Sequence, residues 1–155
     1  MVGFSHRSYL SAALIAILCI AVRQAAAAPA ATTTTLTIAS GASSVASGGS
    51  VASGSVVTLT AGVTTGATPV MVGMVNFCDA SATYCTDIHT LGTAQLTSAG
   101  TAVLKFVPGP GSHSYKAVFA GTRNDAGSTS AAISLTVSGP HATASFIAET
   151  GGPGN

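Results

Sequence analysis

Residues 108–121 read PGPGSHSYKAVFAG, and this stretch decides the fold class. Its first four residues are two prolines and two glycines, which neither a helix interior nor a sheet interior accommodates, so the chain must turn a corner there. After the corner, Tyr115, Ala117 and Phe119 fall on one face of an extended segment, and the residues between them fall on the other. The stretch therefore predicts a corner followed by a half-buried β-strand.

The same alternation, with a period of two residues, recurs on both sides of this stretch. Each segment is short, rich in small or β-branched residues and bounded by turn residues, as is typical of strands. About seven such strands in roughly 105 residues is the number found in an immunoglobulin-type sandwich, so we predict an all-β protein of that class. The segments are residues 32–38, 56–63, 73–79, 91–97, 101–106, 114–121 and 131–138.

Composition supports this class, and the alternation predicts the core. Only 6% of the residues are charged, so a long helix would lack side chains for its solvent-facing side. Residues 39–55 have no periodic apolar face and contain VASG twice, which predicts a surface loop lengthened by a duplication at little cost in loop-closure entropy. The side chains expected to point inward are Leu36, Leu59, Val75, Phe77, Leu96, Val103, Tyr115, Phe119, Ile133, Leu135 and Val137.

Residues 1–30 have the organisation of a secretory signal peptide. A weakly basic start precedes an apolar run at 10–22, which is too short for the helix of about 20 residues that crosses a bilayer. The small residues that follow predict cleavage after Ala27, with Ala30 as a second option; an uncleaved anchor is the alternative, because Arg23 directly follows the run. Export predicts a secreted or cell-surface protein with no membrane span after cleavage.

The cysteines fit export. Cys19 leaves with the predicted leader, and Cys78 and Cys85 remain. Two cysteines in an oxidising compartment predict one disulfide, and the residues between them suffice to turn the chain back on itself. The alternatives are a metal site or a reactive thiol, but metal-binding pairs are usually closer in sequence and have further ligands nearby.

The charge of the exported part excludes one class of partner. After residue 30 the chain has three basic and four acidic residues, a net charge of −1. A nucleic-acid interface needs a basic patch to neutralise phosphates, and Lys105, Lys116 and Arg123 are scattered along the sequence. We therefore exclude nucleic acid as a partner.

The sequence contains no recognisable arrangement of catalytic residues. His89, His113 and His141 fall in a predicted turn, corner and linker, and no serine lies in a G-x-S-x-G motif. Asp79, Asp87 and His89 surround the cysteine pair but lack the spacing of a calcium-binding loop. We expect a non-enzymatic protein without catalytic, cofactor-binding or metal-binding residues.

An ordered set of motifs resembles the bacterial Ig-like repeat family. These are G-x-V-x-F at 73–77, L-G-T-A at 91–94, G-T-A at 100–102 and P-G-x-G-S-H-x-Y-x-A-x-F-x-G at 108–121. The resemblance covers about residues 32–139. It implies a Greek-key β-sandwich that acts as a stalk or adhesion module in a long exported or surface protein. It also implies neighbouring repeats as partners and a protein or glycan ligand, or none.

The resemblance extends to the tyrosine corner of immunoglobulin-type folds. Tyr115 lies two residues before inward-facing Ala117, and its hydroxyl is expected to bond the backbone within 108–111. The chain lacks the tryptophan and the inter-sheet cysteine pair of antibody domains, so an antibody-type domain is excluded.

The end of the chain is similar to its first strand. TASFIAETGG at 143–152 echoes TTLTIASGA at 34–42. We therefore predict a signal peptide (1–30), an Ig-like domain (32–139) and a linker with the first strand of an incomplete second repeat (140–155), which makes the chain a fragment of a longer protein. The alternative is a disordered tail that resembles the first strand only in composition.

Two functions follow from these expectations. The first is a non-catalytic spacer or adhesion module of an exported or surface protein. The alternative is an accessory carbohydrate-binding module of a secreted hydrolase. Sugar binding favours exposed aromatic platforms, and the sequence has no tryptophan and offers Tyr84 as its one plausible exposed ring.

Overall fold

The computed structural model of the protein describes residues 27–139, and these residues form β-strands and no helix. Accordingly, this part of the chain holds no helix long and apolar enough to span a membrane. The apolar run of the predicted leader and the predicted strand of a second repeat lie outside the described residues. The strands are β1 (Thr33–Ser40), β2 (Ser43–Val45), β3 (Gly49–Ala52), β4 (Val57–Thr65), β5 (Thr68–Pro69), β6 (Met74–Asp79), β7 (Thr90–Gln95), β8 (Thr101–Phe106), β9 (Gly111–Phe119), β10 (Ser128–Thr129) and β11 (Ile133–Ser138).

The strands form two sheets. The first has the order β2-β1-β4-β5, with β8 also paired to β4, and the second has the order β3-β11-β9-β6-β7, with β10 also paired to β9. All of these pairs are antiparallel except β3 with β11. One hydrophobic core, built from strands of both sheets, lies between them. The predicted all-β, immunoglobulin-like sandwich is therefore confirmed.

The core agrees with the predicted inward-facing residues except at two positions. Ile133 is only partly buried, and Val103 is 45% exposed. The prediction for Val103 is wrong because the register of β8 on β4 places Ala102 opposite Ala61. Directly opposed residues of an antiparallel pair share a face, so Ala102 rather than Val103 points inward. The predicted residues that are buried are Leu36, Leu59, Val75, Phe77, Leu96, Tyr115, Phe119, Leu135 and Val137.

The prediction of a surface loop at 39–55 is also wrong, because this segment contains β2, β3 and the end of β1. Glycines with positive φ turn the chain between these short strands: Gly41 at 59° and Gly48 at 83°. β3 then pairs in parallel with β11 in the second sheet, and its Val51 is buried opposite Val137. This segment therefore carries the chain from one sheet to the other.

The loops of the sandwich gather at two opposite ends. At one end, which we call the N pole, Ala30 exchanges backbone hydrogen bonds with residues 124–126, next to the loops at 70–73 and 120–127. At the other end, the C pole, β11 leads to Gly139 beside the corner at 107–110 and a loop at 80–89. Strand β6 runs from one pole to the other, so the two poles are about 20 Å apart along it.

Candidate interaction surfaces at the two poles

The C pole carries a covalently closed loop, residues 80–89, which we call the C-pole loop. Cys78, in β6, and Cys85, in the loop, are joined in a disulfide with their Cα atoms 5.5 Å apart. Both cysteines and Ala82 are buried, yet none of the three belongs to the main core. Cys78 follows the inward-facing Phe77, so it lies on the outer face of its sheet. The C-pole loop therefore folds over that outer face and buries a small cluster of its own.

Hydrogen bonds fix the C-pole loop to the strands beneath it. Lys116 lies opposite Cys78 on the neighbouring strand, and its ammonium donates to the carbonyl of Ala82. The backbone N–H of Ala80 donates to Ser114 O at 2.8 Å. Together with the disulfide, these bonds hold the first half of the loop in one position.

The fixed loop presents two large apolar side chains and an acid to solvent. Tyr84 is 73% exposed and Ile88 is 95% exposed. Asp87 lies between them in sequence, and its Oδ1 accepts the backbone N–H of His89 at 2.9 Å. These side chains give the C-pole loop an exposed apolar surface with an acid beside it.

Asp79, at the base of the loop, is held as a carboxylate. The hydroxyl of Ser81 donates to its Oδ1 at 2.6 Å and the Ser81 backbone N–H donates to the same atom at 2.8 Å. These two bonds lower the pKa of Asp79; partial burial raises it by a smaller amount, and nearby His89 and then His113 lower it by less still. The carboxylate of Asp79 is therefore engaged in hydrogen bonds within the protein.

The corner at 107–110 is closed by His113 rather than by the tyrosine. Nε2 of His113 lies 2.7 Å from Gly109 O and donates to it, and its ring stacks on Tyr115 with centroids 5.8 Å apart. The bond predicted from the Tyr115 hydroxyl to the backbone of 108–111 is not formed among the described residues. The ring of Tyr115 instead packs edge-on against Phe106 at 5.4 Å, and burial, then the charge of Asp79, raises the pKa of Tyr115 to about 12.

The N pole is concave where the C-pole loop is convex. A cleft of about 580 Å³ lies between residues 65–72 and residues 122–125, and a second of about 370 Å³ lies between residues 71–74 and 95–96. Met71 and Val72, which we call the N-pole ridge, line both clefts and are 56% and 72% exposed. Exposed Arg123 lines the larger cleft beside the ridge.

Asp125 lies in the wall of the larger cleft and Gly73 in the wall of the smaller one. Asp125 accepts the hydroxyl of Thr122 at 3.0 Å and the hydroxyl of Thr65 at 3.3 Å, and so ties the loop at 120–127 to the end of β4. Gly73 has a φ of 131°, and a Cβ atom there would lie 2.5 Å from the ring of Phe119. Only glycine lets this loop lie directly on the core.

The N-pole ridge and Arg123 were not among the site residues predicted from the sequence. The feature of the sequence that could have identified the ridge is the apolar run of residues 70–72 between Pro69 and Gly73. Apolar residues in a short segment bounded by turn residues cannot all face a core, so some of them must be exposed. The structure does bring Asp79 and His89 together, with the Asp79 backbone N–H donating to His89 O at 3.1 Å. Residues 27–139 hold no group of three or more histidines, cysteines or acids that could bind a metal ion.

Comparisons with curated proteins and with solved structures found no match. A family model described as "Bacterial Ig-like domain (group 3)" matches residues 43–138, more than half of the 155-residue chain, from β2 to the last strand. Family and fold agree, and the chain belongs to the bacterial Ig-like domain (group 3) family.

Proposed function

We propose that this protein is a non-catalytic spacer module of an exported or cell-surface protein, and that it keeps its shape when its two ends are pulled apart. The observation that carries this proposal is the placement of the ends. The chain enters the sandwich at Ala30 on the N pole and leaves it at Gly139 on the C pole. A module with ends at opposite poles adds its full length to whatever it connects.

The terminal strands are attached in a way that suits this task. Strand β1 pairs with β4 over eight opposed residues, and a pull at the N pole acts along this strand. Strand β11 lies between β9 and β3, and a pull at the C pole acts along it. When the force runs along a strand, its hydrogen bonds share the load and must break together.

Export is supported by the cysteine pair and by the start of the sandwich. A disulfide in a small domain is typical of an oxidising compartment. The N–H of Ala30 donates to Asn124 O at 2.7 Å, and its carbonyl accepts the N–H of Ala126 at 2.8 Å. Cleavage after Ala27 keeps both bonds, whereas cleavage after Ala30 removes them. We therefore expect the product of an exporting host to begin at Ala28, as N-terminal sequencing can test.

The alternative function, an accessory carbohydrate-binding module, has weaker support. Tyr84 is exposed, but Phe77, Phe119 and Tyr115 are buried and Phe106 is packed against the core. A flat sugar-binding platform generally needs exposed ring faces, and the described residues offer one such ring. Retention on insoluble polysaccharide, lost on Tyr84→Ala, would favour this function over the spacer role.

The spacer role can be tested by pulling single molecules in two directions. In the first arrangement, the two handles are attached before residue 30 and after residue 139, so the force runs along β1 and β11. In the second, they are attached at positions 111 and 139, so the force peels β11 from β9 one pair at a time. We expect the first arrangement to withstand a several-fold higher force. Equal forces, or early loss of β1 in the first arrangement, would argue against a load-bearing spacer.

A further inference from the structure

We propose that two copies of this protein bind head to tail, with the C-pole loop of one copy seated in the larger N-pole cleft of the next. The proposal goes beyond the spacer role, which a single copy can serve. It assigns a partner, a second copy of this chain, to two surfaces that face solvent at opposite ends of the sandwich.

The two surfaces are complementary in shape, and both are apolar. The C-pole loop projects Ile88 and Tyr84 outward, 95% and 73% exposed. The N pole holds a cleft of about 580 Å³ whose wall includes the exposed Met71 and Val72. Inserting one surface into the other would remove four large apolar side chains from water, which is the main driving force of association.

The two surfaces are also complementary in charge. Arg123 lines the cleft beside the N-pole ridge, and Asp87 directly precedes Ile88 on the loop. The C-pole loop and the N-pole ridge therefore each combine two exposed apolar side chains with a neighbouring charge, and the charges of Asp87 and Arg123 are of opposite sign. Asp125 is engaged with Thr65 and Thr122, and Lys116 with Ala82. Asp87 accepts the His89 N–H through Oδ1, and its Oδ2 accepts no hydrogen bond among the described residues. Arg123 and Asp87 are thus the pair that would set partner and orientation.

Both surfaces are held in place before binding. The disulfide and the bonds from Lys116 and Ala80 hold the first half of the C-pole loop, and the N–H groups of Asp79 and Thr90, which donate to His89 O and Asp87 O, hold the second half. Asp125 fixes one wall of the larger cleft. Surfaces that are already ordered lose little conformational entropy on association.

Geometry decides the kind of assembly. The two surfaces lie at opposite ends of β6, so they cannot meet within one molecule. Each copy uses a different surface for each neighbour, and such a contact builds an open row of molecules rather than a closed dimer. The poles are small, so each contact should be weak, with a Kd of about 0.1–1 mM.

The test measures mass against concentration by sedimentation equilibrium, on the product that an exporting host makes from the full 155-residue chain. For the native protein we expect the average mass to rise steadily with concentration up to about 1 mM, without a plateau at the dimer. Ile88→Ser, at a side chain with almost no contacts of its own, should abolish the rise. Constant mass at monomer, or a plateau at twice the monomer mass, would overturn the proposal.

A charge exchange makes the test specific. R123E gives a copy with two acidic poles and D87R gives one with two basic poles, so each alone should associate about tenfold more weakly than the native protein. An equimolar mixture of the two variants should recover the association, and so should the double variant. V103E is the control, since it places an acidic charge at an exposed position midway along β8, between the two poles, and should behave like the native protein. If the mixture stays monomeric, or if the single reversals associate normally, the poles do not bind each other.

Discussion

The two poles of the sandwich are stabilised by different means. At the C pole, the loop at 80–89 is closed by the covalent bond between Cys78 and Cys85. At the N pole, the loop at 120–127 is held within the described residues by hydrogen bonds, with the carboxylate of Asp125 at their centre. The C pole therefore depends on oxidation, whereas the N pole depends on a charged side chain.

The difference follows from where each loop lies. The loop at 120–127 is short and directly follows Phe119, which lies in the main core. Gly121 of this loop approaches the backbone so closely that a Cβ atom there would lie 2.8 Å from Gly127 N. The C-pole loop lies on the outer face of the sheet, away from that core, and buries only a small cluster. A loop with so little apolar burial needs a cross-link to keep one shape.

The largest expected effect comes from removing that cross-link. Replacing both cysteines, C78A/C85A, should lower the free energy of unfolding by about 2.5 kcal/mol, because the unfolded chain regains the freedom of an eight-residue closed loop. Urea denaturation measures the change. The double variant should also unfold at the same urea concentration with and without dithiothreitol, whereas the native protein should be destabilised by it. Indifference of the native protein to reductant would contradict a stabilising disulfide.

A smaller effect is expected when the N-pole network is cut. Asp125→Ala removes the acceptor of the Thr65 and Thr122 hydroxyls and should cost about 1–2 kcal/mol of unfolding free energy. Exposed Arg123 is the neighbouring control, because R123A should change stability by less than about 0.5 kcal/mol. Unlike the cysteine variant, D125A should lose the same stability in reducing and in oxidising buffer. A dependence on reductant would mean that the poles are not independent.

The comparison also indicates what the sequence could predict. Alternation alone identified strands such as β4, β9 and β11, because each has apolar residues on one face and small or polar ones on the other. In β8 the alternation did not indicate which face of the strand points inward, since Val103 and its neighbours Ala102 and Leu104 are all apolar. The register on β4 decides that question, and register is set by a strand far away in the chain.

Short edge strands and the surfaces at the two poles were harder to predict. β3 pairs with β11 through backbone hydrogen bonds and begins with Gly49 and Ser50. Glycine has no side chain and serine is small, so β3 shows little of the apolar alternation that identifies a strand. The N-pole cleft joins residues about fifty positions apart, such as Val72 and Arg123, and a sequence does not show that they meet. The cysteine pair, by contrast, was visible because both members lie within one short segment.

The smallest effect concerns Asp79, at the base of the C-pole loop. Because the bonds from Ser81 lower the pKa of Asp79 in the folded protein, the unfolded chain binds this proton more readily than the folded protein does. The stability that the carboxylate contributes is therefore fully present at pH values above the ordinary aspartate pKa of 3.8. It is lost as the pH falls through the lower pKa of Asp79 in the folded state. Since Asp79 is near the surface, the loss should be less than about 1 kcal/mol.

Urea denaturation between neutral pH and about pH 2 measures this loss, and Asp79→Asn is the matched variant. The asparagine side chain keeps an oxygen that can accept from Ser81 but cannot titrate, so D79N should flatten the acid limb of the stability curve. Asp125→Asn provides the comparison at the other pole, and it should leave the contribution of Asp79 unchanged. If D79N follows the native curve throughout the acid range, the Ser81 bonds do not couple protonation to the stability of the C-pole loop.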